Sequence, residues 1–175
     1  MPDLSYNQKV ALFRTANKLT LRDLHMHERI EKRIELKTSV ARVWRALTDY
    51  REFGEWFRVK LAAPFVAGEV ASGYITYPGY EHLQWHATVK ELQSERLFSF
   101  TWHPYAVDPK VDYSTEQPTL VEFRLEKIPI GTLLVVTESG FEHVPSHRRL
   151  EALQMNDAGW AEQLKNIEQY VAKHP

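Results

Sequence analysis

Cysteine is absent from this 175-residue sequence. Its absence excludes disulfides, thiolate metal sites, cysteine nucleophiles and iron–sulfur clusters. Long apolar runs are missing too, because no segment approaches the roughly 20 apolar residues of a membrane span. The first 18 residues contain no apolar core of signal-peptide length. We therefore expect a cytoplasmic protein.

The sequence also lacks a strong excess of charge of either sign. Lys and Arg number 22 against 23 Asp and Glu, for a formal net charge of -1. No basic stretch is long enough to follow a phosphate backbone, so nucleic-acid binding is not expected.

Known catalytic and metal-binding motifs are absent as well. There is no glycine-rich phosphate loop, GxSxG elbow or HExxH pair. His25 and His27 could share one strand face, whereas His82 and His86 would lie about 13 Å apart on a strand. Neither pair has an obvious third ligand. The sequence therefore predicts no metal site and no cofactor.

Aromatic residues are abundant, with 5 Trp, 8 Tyr and 8 Phe in a hydrophobic fraction of 43%. This is sufficient for the core of one domain. Apolar periodicity predicts strands at 28–37, 69–77, 82–92, 97–102, 119–127 and 132–138, and a long helix from about 146 to 172. Ser39 and Asp49 are positioned to cap two short helices after the first strand. This element order indicates an α+β fold.

The long C-terminal helix carries one continuous apolar stripe. Its members are Leu153, Trp160, Leu164, Ile167 and Val171. A stripe of that length requires a broad apolar partner, which only the inner face of the sheet can supply. Glycine inside a helix usually has a packing reason, so we expect Gly159 to permit close approach to the sheet or to leave room for a ligand.

Several motifs occur in a characteristic order: VWRALTD at 43–49, FTW at 100–102, TLVEFRLE at 119–126, GTLLVVTESGF at 131–141 and NDAGW at 156–160. In this order they resemble the START-like (SRPBCC) superfamily, and within it the AHSA branch, named after activators of a heat-shock chaperone ATPase. The resemblance covers residues 28–173. It implies a helix-grip fold, in which a curved antiparallel sheet surrounds a long C-terminal helix.

The resemblance divides the chain into an N-terminal extension, residues 1–27, and a START-like domain, residues 28–175. The extension contains a predicted short amphipathic helix at 5–19. The resemblance also implies a deep cavity between the sheet and the C-terminal helix. Members of the superfamily bind small apolar molecules, some act as cyclases or hydrolases, and some contact chaperones in the stress response.

Glu138 is the first candidate for a polar group in such a cavity. It shares a strand face with Leu134 and Val136. If that face lines the cavity, the Glu138 carboxylate lies at the end of an apolar wall. Burial would raise its pKa and make it a candidate acid or base, or it could simply accept hydrogen bonds. Asn156 lies one helical turn before Trp160 and could orient a ligand or brace Glu138. The predicted ligand-binding residues are Trp56, Tyr74, Trp85, Trp102, Glu138, Asn156 and Trp160.

Two further regions carry polar residue types. His103 begins a long loop, 103–118, that also contains Asp108 and Tyr113 and could be either a lid or a solvated connection. Arg148 and Arg149 could bind an anion at the cavity mouth or form surface ion pairs.

These observations favour a non-catalytic module that binds a small hydrophobic or aromatic ligand. A chaperone cofactor or another protein-interaction module is one alternative. A cyclase- or hydrolase-like enzyme that uses Glu138 as acid or base is the other. Self-association through the N-terminal helix is compatible with all three.

Overall fold

A computed structural model of the protein describes residues 29–175. The helix predicted at 5–19 and the pair His25 and His27 lie outside the described residues. Within this part of the chain the elements are β1 Arg29–Leu36, α1 Val40–Thr48, α2 Tyr50–Phe57, β2 Val59–Leu61, β3 Val70–Ile75, β4 Gln84–Gln93, β5 Leu97–Trp102, β6 Thr119–Ile128, β7 Gly131–Ser139 and α3 Ser146–Lys173. Two short 3₁₀ helices, Tyr113–Thr115 and Phe141–His143, complete the set.

The strands form one seven-stranded antiparallel sheet with the order β1-β7-β6-β5-β4-β3-β2. The short helices α1 and α2 connect the two edge strands, β1 and β2. The long helix α3 contacts β1, α1 and α2 and places its apolar stripe over the inner face of the curved sheet. This is the α+β helix-grip fold that the sequence predicts.

Local capping explains where the two short helices begin. The Ser39 hydroxyl accepts a hydrogen bond from the Arg42 amide at 3.2 Å. The Asp49 carboxylate accepts from the amides of Arg51 and Glu52 at 2.9 and 3.2 Å. Each cap satisfies donors that a helix N-terminus otherwise leaves unpaired. The two caps predicted from the sequence are both present.

The three-residue strand β2 has no counterpart among the predicted elements. It follows α2 directly and pairs with β3, with Lys60 opposite Tyr74. A Cβ atom on Gly73 would lie 2.2 Å from the Lys60 carbonyl oxygen. Only glycine therefore allows β2 to approach β3 this closely. Three residues are too few to show a period, which is why the sequence pattern misses this strand.

The apolar stripe of α3 is buried as expected over most of its length. Trp160, Leu164, Ile167 and Val171 are all 7% exposed or less. Leu153 is only half-buried, and Ala152 takes the fully buried position in the first turns. Gly159 is exposed, and a Cβ atom there would meet no atom within 4 Å. The expected packing reason for Gly159 is therefore wrong, since it lies on the face of the helix that points away from the sheet.

Candidate functional site

Aromatic rings fill the space between the sheet and α3. Their centroids lie between 4.6 and 6.5 Å apart in a continuous cluster. The members that line the space below α3 are Phe53, Phe57, Trp85, Phe100, Trp102, Phe123 and Trp160. The deep cavity expected at this position is not confirmed, because rings contributed by α2, the sheet and α3 pack against one another there.

Glu138 lies at the polar end of this cluster and is fully buried. Its Oε1 accepts hydrogen bonds from Trp102 Nε1 at 2.7 Å and from Thr119 Oγ1 at 2.6 Å. Its Oε2 accepts from Trp160 Nε1 at 2.7 Å. Asn156 Nδ2 lies 3.0 and 2.9 Å from the two oxygens. All the donors are neutral, so hydrogen bonds and not a counter-charge hold the carboxylate.

Opposing effects act on the acidity of Glu138. Burial raises the pKa of its carboxyl group above the ordinary 4.5, and the hydrogen bonds from Thr119, Trp160, Trp102 and Asn156 partly oppose that rise. Burial is the larger effect, so the side chain holds its proton more tightly in the folded state than in the unfolded one.

The four donors to Glu138 come from three different elements, β5, β6 and α3. Trp102 ends β5, Thr119 begins β6, and Glu138 lies opposite Val121 in the β6–β7 pairing. Asn156 and Trp160 are one turn apart on α3 and so point the same way. The network therefore joins the first half of α3 to the centre of the sheet. Because both oxygens are engaged and buried, Glu138 offers no free edge to a substrate.

The remaining three predicted ligand-binding residues lie in different environments, two of them buried and one exposed. Trp56 is buried, and its Nε1 donates to the Ala46 carbonyl at 2.8 Å. Trp85 is also buried, but its indole N–H has no hydrogen-bond partner. Tyr74 is 53% exposed, on the face of β3 that points away from α3. Tyr74 is thus not an interior residue, because the alternation along β3 buries its neighbour Gly73 instead.

An open groove lies at the β2 edge of the sheet. It has a volume of about 720 Å³ and runs between α2, β2 and the last turns of α3. Its apolar and aromatic lining comes from Tyr50, Trp56, Val59, Leu61 and Tyr170. Sequence reasoning identified only Trp56 of these. The groove brings together segments more than 100 residues apart, and no local motif marks them.

Positive charge predominates around this groove. Four of its lining residues are Lys or Arg, and one is Glu: Arg51, Arg58, Lys60 and Lys173 against Glu55. All five are exposed. Because the side chains stand around an apolar floor, the groove combines a surface for a flat apolar body with several donors for a negative group.

A buried arginine fixes one wall of the groove. Arg42 is 7% exposed and donates to Glu52 at 2.8 Å and to the His174 carbonyl oxygen. Its guanidinium lies 5.6 Å from the ring centroid of Tyr170, which in turn stacks on His174 at 4.4 Å. The end of α3 is thereby held against α1 and α2. Contacts within the chain therefore hold Tyr170, the aromatic wall of the groove, in place.

The loop at 103–118 is attached to the start of α3. Arg148 forms a bidentate ion pair with Glu116, and the two side chains are only 12% and 11% exposed. Arg148 also donates to the Pro104 carbonyl at 2.8 Å and lies 4.8 Å from the Tyr113 ring centroid. The hydrogen bond from Arg148 lowers the pKa of Glu116. Arg148 therefore forms a structural ion pair with Glu116, and its guanidinium is not available to bind an anion from solution.

Arg149 and His103 also have partners. Arg149 donates to the backbone oxygens of Val144 and Glu142 at 3.0 and 2.7 Å, while His103 Nε2 lies 3.0 Å from the Glu116 carbonyl oxygen. Within residues 29–175 no group of three or more His, Cys, Asp or Glu side chains could hold a metal ion. In the same part of the chain, no helix is both long enough and apolar enough to cross a membrane.

A family model described as "Activator of Hsp90 ATPase homolog 1-like protein" matches residues 37–172. The chain belongs to this family. Among proteins with curated descriptions, none matches the sequence. Solved structures that resemble this family member share its fold at low identity. Protein MLL2253 from Mesorhizobium loti is 21% identical with a TM-score of 0.67, and the match covers 84% of this chain and 98% of that one.

Two further relatives show the same architecture. Protein NE0264 from Nitrosomonas europaea is 17% identical, with a TM-score of 0.65 over 84% of this chain and 96% of its own. The solution structure of the Aha1 dimer from Colwellia psychrerythraea matches with 17% identity and a TM-score of 0.61, over 82% of this chain and 95% of that one. At these identities the likeness concerns the fold.

Proposed function

We propose that this family member is a non-catalytic binding module whose ligand is a small molecule with a flat apolar body and an anionic group. The groove between α2, β2 and the end of α3 is the binding site. The observation that carries the proposal is the combination of an aromatic floor with four surrounding cations. The volume of about 720 Å³ is within the range typical of small-molecule sites, roughly 300–1,000 Å³.

The position of the groove revises the site proposed from the sequence. The ligand lies beside the end of α3 and not beneath its middle, because aromatic rings already fill the middle. Trp56 is the predicted ligand residue that borders the groove, while Trp85, Trp102, Asn156 and Trp160 belong to the core and to the Glu138 network.

Acid–base catalysis by Glu138 is less well supported than binding. A general acid or base must come within hydrogen-bond reach of its substrate. The Glu138 oxygens already accept from Trp102, Thr119, Trp160 and Asn156, and the side chain is fully buried. In this proposal Glu138 anchors α3 to the sheet.

A matched pair of fluorescent probes tests the proposal. 8-Anilino-1-naphthalenesulfonate carries an aromatic body and a sulfonate, and N-phenyl-1-naphthylamine has the same body without the charge. We expect the anionic probe to bind more tightly, and amide shifts in a nitrogen-15 NMR titration to map to α2, β2 and the last turns of α3. Equal binding of the two probes, or shifts confined to other regions, would overturn the proposal.

Charge-removing variants sharpen the test. Replacing Lys60 and Lys173 together with Gln should weaken the anionic probe about tenfold, because two exposed cations each contribute up to roughly 1 kcal/mol. The neutral probe should be unaffected. The control double variant replaces Lys90 and Lys127, which are exposed but outside the groove, and should leave both probes unchanged.

A protein-interaction role is the second candidate, because the family is named after an activator of the Hsp90 ATPase and one relative is an Aha1 protein. The same cationic groove would then receive an acidic segment of a chaperone. Binding of purified Hsp90 that is lost in the Lys60 and Lys173 double variant would support this role. Binding that the double variant leaves unchanged, or no binding at all, would remove it.

A further inference from the structure

Among the described residues, 29–175, the strand β1 is an edge of the sheet and has only β7 as a neighbour. Along its eight residues, every pairing partner lies in β7. No other backbone hydrogen bond within residues 29–175 reaches its outer side. An edge of this length presents unpaired N–H and C=O groups that can template another strand.

The outward-facing side chains of β1 alternate in charge. Arg29, Glu31, Arg33 and Glu35 share the face that points away from α3, and all four are exposed. Proteins commonly block an edge strand with proline or with inward-pointing charges. β1 contains no proline. Its single inward-pointing charge, Lys32, is neutralised by Asp157 of the same chain at 2.8 Å, and its outward charges sum to zero. The pattern therefore does not repel a strand with the same sequence.

We propose that β1 pairs antiparallel with β1 of a second copy of this chain, about a two-fold axis at Lys32. In that register, Arg29 faces Glu35 of the second copy, and Glu31 faces Arg33. The two-fold axis repeats both contacts. Four cross-strand pairs of opposite charge then join two sheets into one continuous sheet. They compete with the ion pairs that Glu31 forms with Arg29 and Arg33 of its own strand, at 3.2 and 2.7 Å, and the exposed side chains must exchange partners on pairing.

The charge pattern also selects this register over its neighbours. A slip of two residues would place Arg33 opposite its own copy and Glu31 opposite Glu35, so that like charges meet. A slip of one residue would set the charged face of one strand against the buried face of the other. The self-complementary arrangement is the reason for assigning a second copy as the partner, rather than an unrelated strand.

The inner face of β1 is compatible with the same register. Ile30 comes opposite Ile34 of the second copy, and Ile34 is only half-buried in the single chain. The two Lys32 side chains meet at the axis, where their charges oppose pairing. Each is already joined to Asp157 of its own chain at 2.8 Å, which reduces that repulsion.

Charge reversal within the full chain provides the test. We expect the unmodified protein to show a reversible monomer–dimer equilibrium in sedimentation velocity at low ionic strength, weakening as salt is added. Glu31→Arg alone and Arg33→Glu alone each turn both central pairs into like-charge pairs. Each variant should therefore self-associate about tenfold more weakly. Mixed in equal amounts they should form a heterodimer of wild-type affinity, because both central pairs are opposite in sign again.

Controls separate this interface from other contacts. Glu126→Arg reverses an exposed charge on β6, away from the edge, and should leave association unchanged. Far-ultraviolet circular dichroism confirms that each variant is folded. The proposal is overturned if the protein stays monomeric, if both single variants dimerise like wild type, or if their mixture is no stronger than either alone. A dimer that requires residues 1–27 but tolerates Glu31→Arg would assign the contact to the N-terminal extension and overturn it as well.

Discussion

Substituting Glu138 with Gln tests the role of the buried carboxylate directly. The change preserves the size of the side chain but converts one acceptor oxygen into an NH₂ donor. Trp102 donates to one oxygen and Trp160 to the other, both at 2.7 Å. An indole N–H can only donate. Whichever way the amide is turned, one indole N–H faces another donor.

The expected cost follows from that mismatch. A buried donor that loses its acceptor costs about 1–3 kcal/mol. Thr119 and Asn156 can rotate to relieve part of the loss, but the ring packing around Trp102 and Trp160 prevents either indole from turning away. We therefore expect Glu138→Gln to lower the free energy of unfolding by about 2 kcal/mol.

Urea unfolding followed by tryptophan fluorescence and circular dichroism gives the measurement. Glu126→Gln makes the same chemical change at an exposed position on β6 and should alter stability by less than about 0.5 kcal/mol. If Glu138→Gln were as stable as wild type, the assignment of Glu138 as an anchor between α3 and the sheet would be wrong.

The pH dependence of the same pair of proteins tests the raised pKa of Glu138. In the wild type the folded state retains the proton while the unfolded state releases it near 4.5. Stability that is present below that pH is therefore lost as the pH rises through the folded-state pKa, with a slope of up to about 1.4 kcal/mol per pH unit. Glu138→Gln lacks this loss, so the stability gap between the two proteins should narrow as the pH rises. A gap that widens would indicate a lowered pKa and contradict the reasoning.

Three further variants probe other parts of the structure. Trp160→Phe should destabilise more than Trp85→Phe by about 1–2 kcal/mol in urea unfolding, because both lose indole volume but only Trp160 donates to a buried carboxylate; equal losses would contradict this. Gly159→Ala should raise the free energy of unfolding by up to about 1 kcal/mol, since the position is helical, exposed and unobstructed; a loss would point to a hidden constraint. Arg148→Met should cost about 1.5–3 kcal/mol and expose the 103–118 loop to limited proteolysis, because it removes the charged hydrogen bonds to Glu116; unchanged cleavage would show that the ion pair does not hold the loop.

Much of the fold could be predicted because its signals are local. Ser39 and Asp49 have the capping side chains that the following helices require, and both form those caps. The 3.6-residue period of α3 predicts a stripe from Trp160 to Val171 that is buried as expected. The strand β2 escaped prediction because its three residues are too few to show a period, and because its pairing depends on the close approach at Gly73 of the next strand.

The contacts of Glu138 also include some that local sequence signals predict and some that they do not. Strand alternation correctly predicts that Glu138 points inward, and helical spacing correctly predicts that Asn156 and Trp160 point the same way. The contacts of Trp102 and Thr119 with the same carboxylate depend on the register of β5, β6 and β7. Hydrogen bonding across three strands sets that register, and no single segment encodes it.

The sequence by itself determined the described α-helices and every described strand except β2, the order of those elements, the buried part of the α3 stripe from Trp160 to Val171, and the aromatic character of the interior. Only the tertiary structure decided whether that interior would be empty or full, because the answer depends on the summed volume of rings from α2, the sheet and α3. The same is true of the groove, which forms where Val59, Tyr50 and Tyr170 meet from distant parts of the chain. Periodicity reports which face of an element is apolar, whereas a binding site is the space left after all those faces have packed.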